Sequence, residues 1–170
     1  MNIAFLIVRL ILGLSFMAHG TQKLFGWFGG GGITGTGDFF EGLGFRPGKA
    51  FAAVAAVCET LGGFLTLLGA GGALGPVLIV VVMLTAIGSV HYKRGFFVSG
   101  GGWELNSAYI AAAVAVAYAG NGLYSVDNWL GLQFLSDPLQ VSYAFAAAII
   151  VAALNLVSRR SSPPSAGAAR

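Results

Sequence analysis

The chain has 170 residues, of which only 9% are Asp, Glu, Lys or Arg, and its mean hydropathy is +0.82; a soluble domain is roughly a quarter charged, so water is excluded as the main solvent. The net charge of +3 and pI near 9.3 do not indicate a nucleic-acid partner, because the basic residues are scattered between apolar runs and build no patch for phosphates. Cys58 is the only cysteine, which excludes an intrachain disulfide, a Cys-x-x-Cys redox pair and a cysteine-ligated cluster.

The first nine residues lack the basic start of a signal peptide and carry their first charge, Arg9, inside the apolar run. They read as a retained first helix. Runs long enough to cross the hydrocarbon lie at residues 3–20, 50–68, 73–91 and 139–157, with a shorter one at 105–119. The expected fold is therefore an all-α integral membrane bundle of five spans. Between the first two, residues 36–44 are expected to form a short interfacial helix laying Phe39, Phe40 and Leu43 on the bilayer. Gly69 to Gly72 makes a tight link between the second and third spans, and the fifth opens on Asp137-Pro138, an N-cap followed by an N1 proline. Residues 159–170 read as a basic, disordered cytoplasmic tail.

Five crossings place Lys23, Arg46, Lys49, Lys93, Arg94, Arg159, Arg160 and Arg170 on one side and leave Asp127 and Asp137 on the other. The positive-inside rule then puts the N-terminus outside and the C-terminus in the cytoplasm. Association of the spans in lipid needs small residues at helical spacing. Ala52, Ala55, Ala56, Glu59, Gly62, Gly63 and Thr66 share one face of the second span, and Arg9, Gly13, Phe16 and Gly20 one face of the first. Ala111, Ala115 and Ala119 in the fourth and Ala144, Ala148 and Ala152 in the fifth supply comparable stripes.

Four ionisable side chains, Arg9, His19, Glu59 and His91, lie within or at the ends of spans, where a charge costs at least about 2.5–3.5 kcal/mol and needs a partner or a purpose. Counting residues from the span ends puts Arg9 and Glu59 at one depth, as an ion pair that either fixes helix register or floors a ligand cavity. His19 and His91 end two helices of the same direction and could move protons or bond a ligand carbonyl. Bis-histidine haem ligation is disfavoured, since nothing else marks a haem pocket, and no His/Cys/Glu set has metal spacing. Gly30 to Gly35 formally matches G-x-G-x-x-G, but without a preceding strand it reads as a loop.

Arg9-Leu10, the run from His19-Gly20-Thr21-Gln22-Lys23 to Trp27-Phe28-Gly29-Gly30, Glu59-Thr60-Leu61-Gly62-Gly63, and Val90-His91 followed by Gly95-Phe96-Phe97 resemble the DoxX family. The resemblance spans roughly residues 3–131 and implies a small, typically four-helix membrane protein of the oxidoreductase-subunit type, the family's namesake belonging to a thiosulfate:quinone oxidoreductase. Residues 1–131 are then a DoxX-like membrane domain and 132–158 an additional transmembrane helix, which suggests a docking surface.

The expected function is a redox subunit of the bacterial plasma membrane, interacting with quinone or a redox partner through Arg9, His19, Glu59 and His91, which are both the catalytic and the cofactor-binding candidates. Arg9 would supply positive charge, Glu59 its partner and a proton relay, and the histidines proton donors. The alternative is a non-catalytic anchor or accessory subunit of a larger respiratory, photosynthetic or stress-response complex. Membrane lipids and a protein in a membrane complex are the expected partners.

Overall fold

A computed structural model describes residues 2–160. Most of the expected tail, residues 161–170, lies outside the described residues. Among the described residues there is no strand, and the elements run in order α1 (Asn2–Phe25), α2 (Gly32–Gly42), α3 (Gly48–Leu68), α4 (Leu74–Ala86), α5 (Glu104–Ala119), the single turn α6 (Val126–Trp129) and α7 (Pro138–Val157). Helix α4 continues without a break through a π-helical turn, Ile87–His91, and a 3-10 turn, Tyr92–Arg94. Four segments are long and apolar enough to cross a membrane: α1, α3, α4 with its extension, and α7. Helix α5 has 16 residues, about 24 Å of helix, and corresponds to the shorter run expected at 105–119.

Helices α1, α3, α4 and α5 pack in a ring in which α1 touches α3 and α5, and α4 touches the same two. Helix α7 lies against α4 from outside that ring, and α2 covers one end of α3. The α1–α3 seam is the closest, because glycine meets backbone on both sides: a Cβ on Gly63 would stand 2.6 Å from the Gly13 oxygen, and one on Gly20 2.7 Å from the Ala56 oxygen. The predicted face of α3 is buried at Ala52, Ala56, Glu59, Gly62, Gly63 and Thr66. In α5 the expected stripe is wrong: Ala111, Ala115 and Ala119 face outward, and Asn106, Ala113, Val116 and Ala117 are buried.

Arg9 and Glu59 do not pair. The reason is the length of α1, which runs past the end of its apolar stretch at Gly20 to Phe25 and shifts every depth counted from that end. Gly20 lies against Ala56 and Thr60, so His19 stands at the level of Glu59. Arg9 stands seven to eight residues further along α3, at Thr66 and Leu67.

There Arg9, 1% exposed, donates to the carbonyl oxygens of Thr66, Leu67, Asn121 and Tyr124. Thr66 and Leu67 are in the last turn of α3, whose carbonyls lack an amide four residues on within the helix, and a cation is favoured at that end of the helix dipole. Gly69 closes α3 in the left-handed conformation at φ 63°, and it also leaves room for Arg9, whose Cζ would be 2.6 Å from a Cβ there. The complementary group is Asp127, 3% exposed, which accepts from the amides of Gly71 and Gly72, just before α4, and from Asn121 Nδ2. One cation and one anion thus hold the α3–α4 turn to α1 and to the loop after α5.

At the opposite end α2 is longer than expected: Phe39 is largely exposed, Phe40 and Leu43 are half-buried and Phe45 is buried, and all four border the cavity between the helices. The predicted cap of α7 is present, Asp137 Oδ1 accepting from Leu139 and Gln140 amides at 3.0 and 3.2 Å. Its last turn leads into a clasp on the α2–α3 loop: Arg159 Nε donates to the Leu43 oxygen at 2.7 Å, the guanidinium lies 5.6 Å from the Phe45 ring centre, and the Arg160 amide donates to the Gly44 oxygen. Arg159 and Arg160 therefore belong to the fold rather than to a free tail.

Candidate functional site

Between the four ring helices, and closed on one side by α2, lies a cavity of about 750 Å³, a volume typical of small-molecule sites. Most of its wall is apolar, including Phe40, Phe45, Phe51, Val82 and Leu105. Its polar groups are few: His19 and Lys23 from α1, Cys58 and Glu59 from α3, Thr85, Ser89 and His91 from α4 and its extension, Asn106 and Tyr109 from α5, and Asn155 from α7.

Three of the four expected site residues, His19, Glu59 and His91, therefore line one cavity, and Arg9 does not. The partner of Glu59 is Lys23, Nζ to Oε2 at 2.6 Å, with the Glu59 side chain 3% and the Lys23 side chain 22% exposed. Lys23 sits one turn beyond His19 and also approaches the His19 carbonyl at 3.4 Å. A buried carboxylate in an apolar wall requires such a partner. The sequence held the signal in the continuing helical register from His19 to Lys23, but ending the span at Gly20 put the lysine outside the membrane.

His91 is held by its Nδ1, 2.6 Å from the Gly101 oxygen. A carbonyl can only accept, so Nδ1 carries the proton, and Nε2 of the neutral ring is left with its lone pair. The π-helical turn that ends at His91 inserts a residue into the α4 register, a feature that recurs at functional sites and re-aims the side chains after it. Thr85 and Ser89 bond back to the Val81 and Thr85 oxygens within α4. His19 stands exposed at the edge of the cavity, with the Phe16 ring edge-on to it at 6.4 Å. Phe16 also meets Tyr109 at 5.2 Å, and so forms a wall between the cavity and the buried core.

Asn106 and Tyr109 were not foreseen. Asn106 is the one carboxamide in the apolar stretch 105–119, three residues before a tyrosine, a spacing that puts both on one helix face, and that was the available signal. Among the described residues no group of His, Cys, Asp and Glu could hold a metal ion.

The DoxX family model matches residues 4–92, from α1 to the end of the π-helical turn, and includes His19, Lys23, Cys58, Glu59 and His91. The chain belongs to the DoxX family. It is a multi-pass membrane protein, as the apolar helices also require. Among curated proteins it is similar to "Putative oxidoreductase CatD" of Bacillus subtilis (strain 168), 28% identical over 129 residues, which are 76% of this chain and 88% of that one. No solved structure matches it significantly. The family match stops short of α5 and α7, so Asn106, Tyr109 and the α7 clasp lie outside the matched residues.

Proposed function

We propose that the chain is a quinone-interacting redox subunit of a bacterial plasma membrane, and that the cavity between α1, α3, α4 and α5 receives the ring. The observation that supports this most is the lining: an apolar chamber of about 750 Å³ whose polar groups include the buried Lys23–Glu59 pair and an imidazole fixed in one tautomer. Membership of the DoxX family and the similarity to a protein described as an oxidoreductase agree with it. A bound quinone would supply two-electron, two-proton carbonyl chemistry, with electrons from a partner protein or a small sulfur reductant.

The chain's own part is binding and proton handling. His91 Nε2, nearer the end of the cavity, takes up a proton released at the ring and returns it on reduction. Lys23 holds positive charge at the wall where ring oxygen gains negative charge, and in an apolar chamber that attraction is stronger than in water. His19 at the edge and Glu59 inside give a route for protons between the mouth and the interior. Arg9, committed to four carbonyls, has no part in this chemistry. The end of the bundle that carries Lys23, Lys49, Lys93 and Arg159 faces the cytoplasm, and the N-terminus lies outside.

The test is purification in mild detergent, extraction and mass spectrometry of co-purifying quinone, then titration of a short-chain analogue. Quinone in the extract and a loss of affinity of about tenfold or more in His91→Ala, with unchanged thermal unfolding, are expected. No quinone in the extract and no binding in the titration would leave the accessory-subunit reading in its place.

A further inference from the structure

Inside the cavity, acceptors lack donors. Asn106 is 7% exposed, and its Nδ2 lies 3.4 Å from Met83 Sδ. A thioether sulfur only accepts, so the NH2 edge must be the one facing Met83, and Oδ1 is the edge turned away. No protein donor reaches Oδ1 among the described residues. Glu59 uses Oε2 for Lys23, and no protein donor reaches its Oε1. Among the described residues the buried side-chain atom sealed from solvent without a partner is Thr66 Oγ1. Asn106 Oδ1 and Glu59 Oε1, equally unpartnered, are therefore open to free space, and the space both residues border is the cavity.

These two acceptors stand at one depth on helices that lie diagonally across the ring. Gly62 abuts Leu78 and Ile79 across the α3–α4 contact. Three residues back along α3 and four onward along α4 bring Glu59 level with Met83, the residue that Asn106 touches. His91 Nε2 adds a third lone pair without a donor, nearer the cytoplasmic end. Against these stand one uncommitted N–H on Lys23, whose others go to Glu59 and the His19 oxygen, and His19 and Tyr109, which can serve either way.

Resting on the reading of this cavity as a quinone site, we infer that it is built for the reduced ring: a dihydroxy, hydroquinone-type ligand whose two O–H groups meet Glu59 and Asn106. The carbonyl oxygens of the oxidised quinone only accept and would oppose acceptor to acceptor. An unmatched buried acceptor loses its hydration without replacement, so the mismatch penalises the oxidised form more than the extra bond favours the reduced one. Asn106, on α5 beyond the family-matched segment, is in this account a specificity-determining residue.

The full chain in lipid nanodiscs is titrated calorimetrically and without oxygen with a short-chain hydroquinone and with the quinone of the same ring. The reduced form is expected to bind at least about tenfold more tightly, which raises the midpoint potential of the bound two-electron couple by about 30 mV. Asn106→Leu, which keeps volume and removes the acceptor, and Glu59→Gln should each bring the ratio at least about threefold closer to parity. Equal or tighter binding of the quinone by the unaltered chain overturns the preference while leaving the quinone reading in place. An unchanged ratio in folded Asn106→Leu removes Asn106 from the account. Binding of neither form ends the quinone reading and this inference with it.

Discussion

Arg9 carries four hydrogen bonds to carbonyls that belong to two separate segments, the end of α3 and the loop after α5. Only a guanidinium has enough donors in a fixed plane to do that. Arg9→Leu leaves those carbonyls and the buried Asp127 without their cation, and breaking a buried charge set this way costs about 3–5 kcal/mol. The expected result is a large fall in the thermal unfolding temperature in detergent. Arg9→Lys should recover only part of the loss, since three donors cannot serve four carbonyls. Ligand affinity per folded molecule should be unchanged in both, whereas His91→Ala should lose affinity without loss of stability. That such residues matter was legible in the sequence, because ionisable groups in apolar runs are few. Who pairs with whom was not: pairing depends on helix depth, and Thr21 to Phe25 add more than a turn to α1 beyond the point where hydropathy ends it.

The α1–α3 seam was the most legible element, because glycine and alanine at helical spacing leave little choice of face. Its tightness gives a prediction with an internal control. A Cβ on Gly63 would meet the Gly13 oxygen at 2.6 Å and the Met17 amide at 2.8 Å, and backbone atoms cannot rotate away. Gly63→Ala should therefore cost about 1–3 kcal/mol. Gly35→Ala in α2 meets nothing within 4 Å and should be neutral or slightly stabilising, alanine being favoured over glycine in a helix by up to about 1 kcal/mol. Unfolding of both variants in the same detergent compares the two. The same reasoning shows why α5 misled: in a stretch with alanine at 108, 111, 112, 113, 115, 117 and 119, small-residue spacing fits several faces. Asn106 and its bond to Met83 fix the buried face instead. Nothing in the pattern announces the π-helical turn before His91, since it arises from packing and not from a residue type.

At the scale of the whole molecule, the fifth helix is part of the cavity. Asn155 lines it, and Arg159 and Arg160 hold the α2–α3 loop, whose Leu43 and Phe45 are wall residues. Beyond the expected docking surface, the added helix acts as a clasp. Arg159→Ala removes a charge-assisted hydrogen bond and a ring contact at a partly exposed position, about 1–2 kcal/mol together. Because the clasp lies away from the α1–α3 seam and the Arg9–Asp127 set, global unfolding should shift little. The wall, however, gains freedom that a ligand must then pay to order. The expected signature is a three- to tenfold rise in Kd for the cavity ligand, expressed as faster dissociation, with His91, Glu59 and Asn106 intact. A stopped-flow release measurement on nanodisc-embedded Arg159→Ala reads it directly. Unchanged release would mean that α2 holds the wall without help from α7.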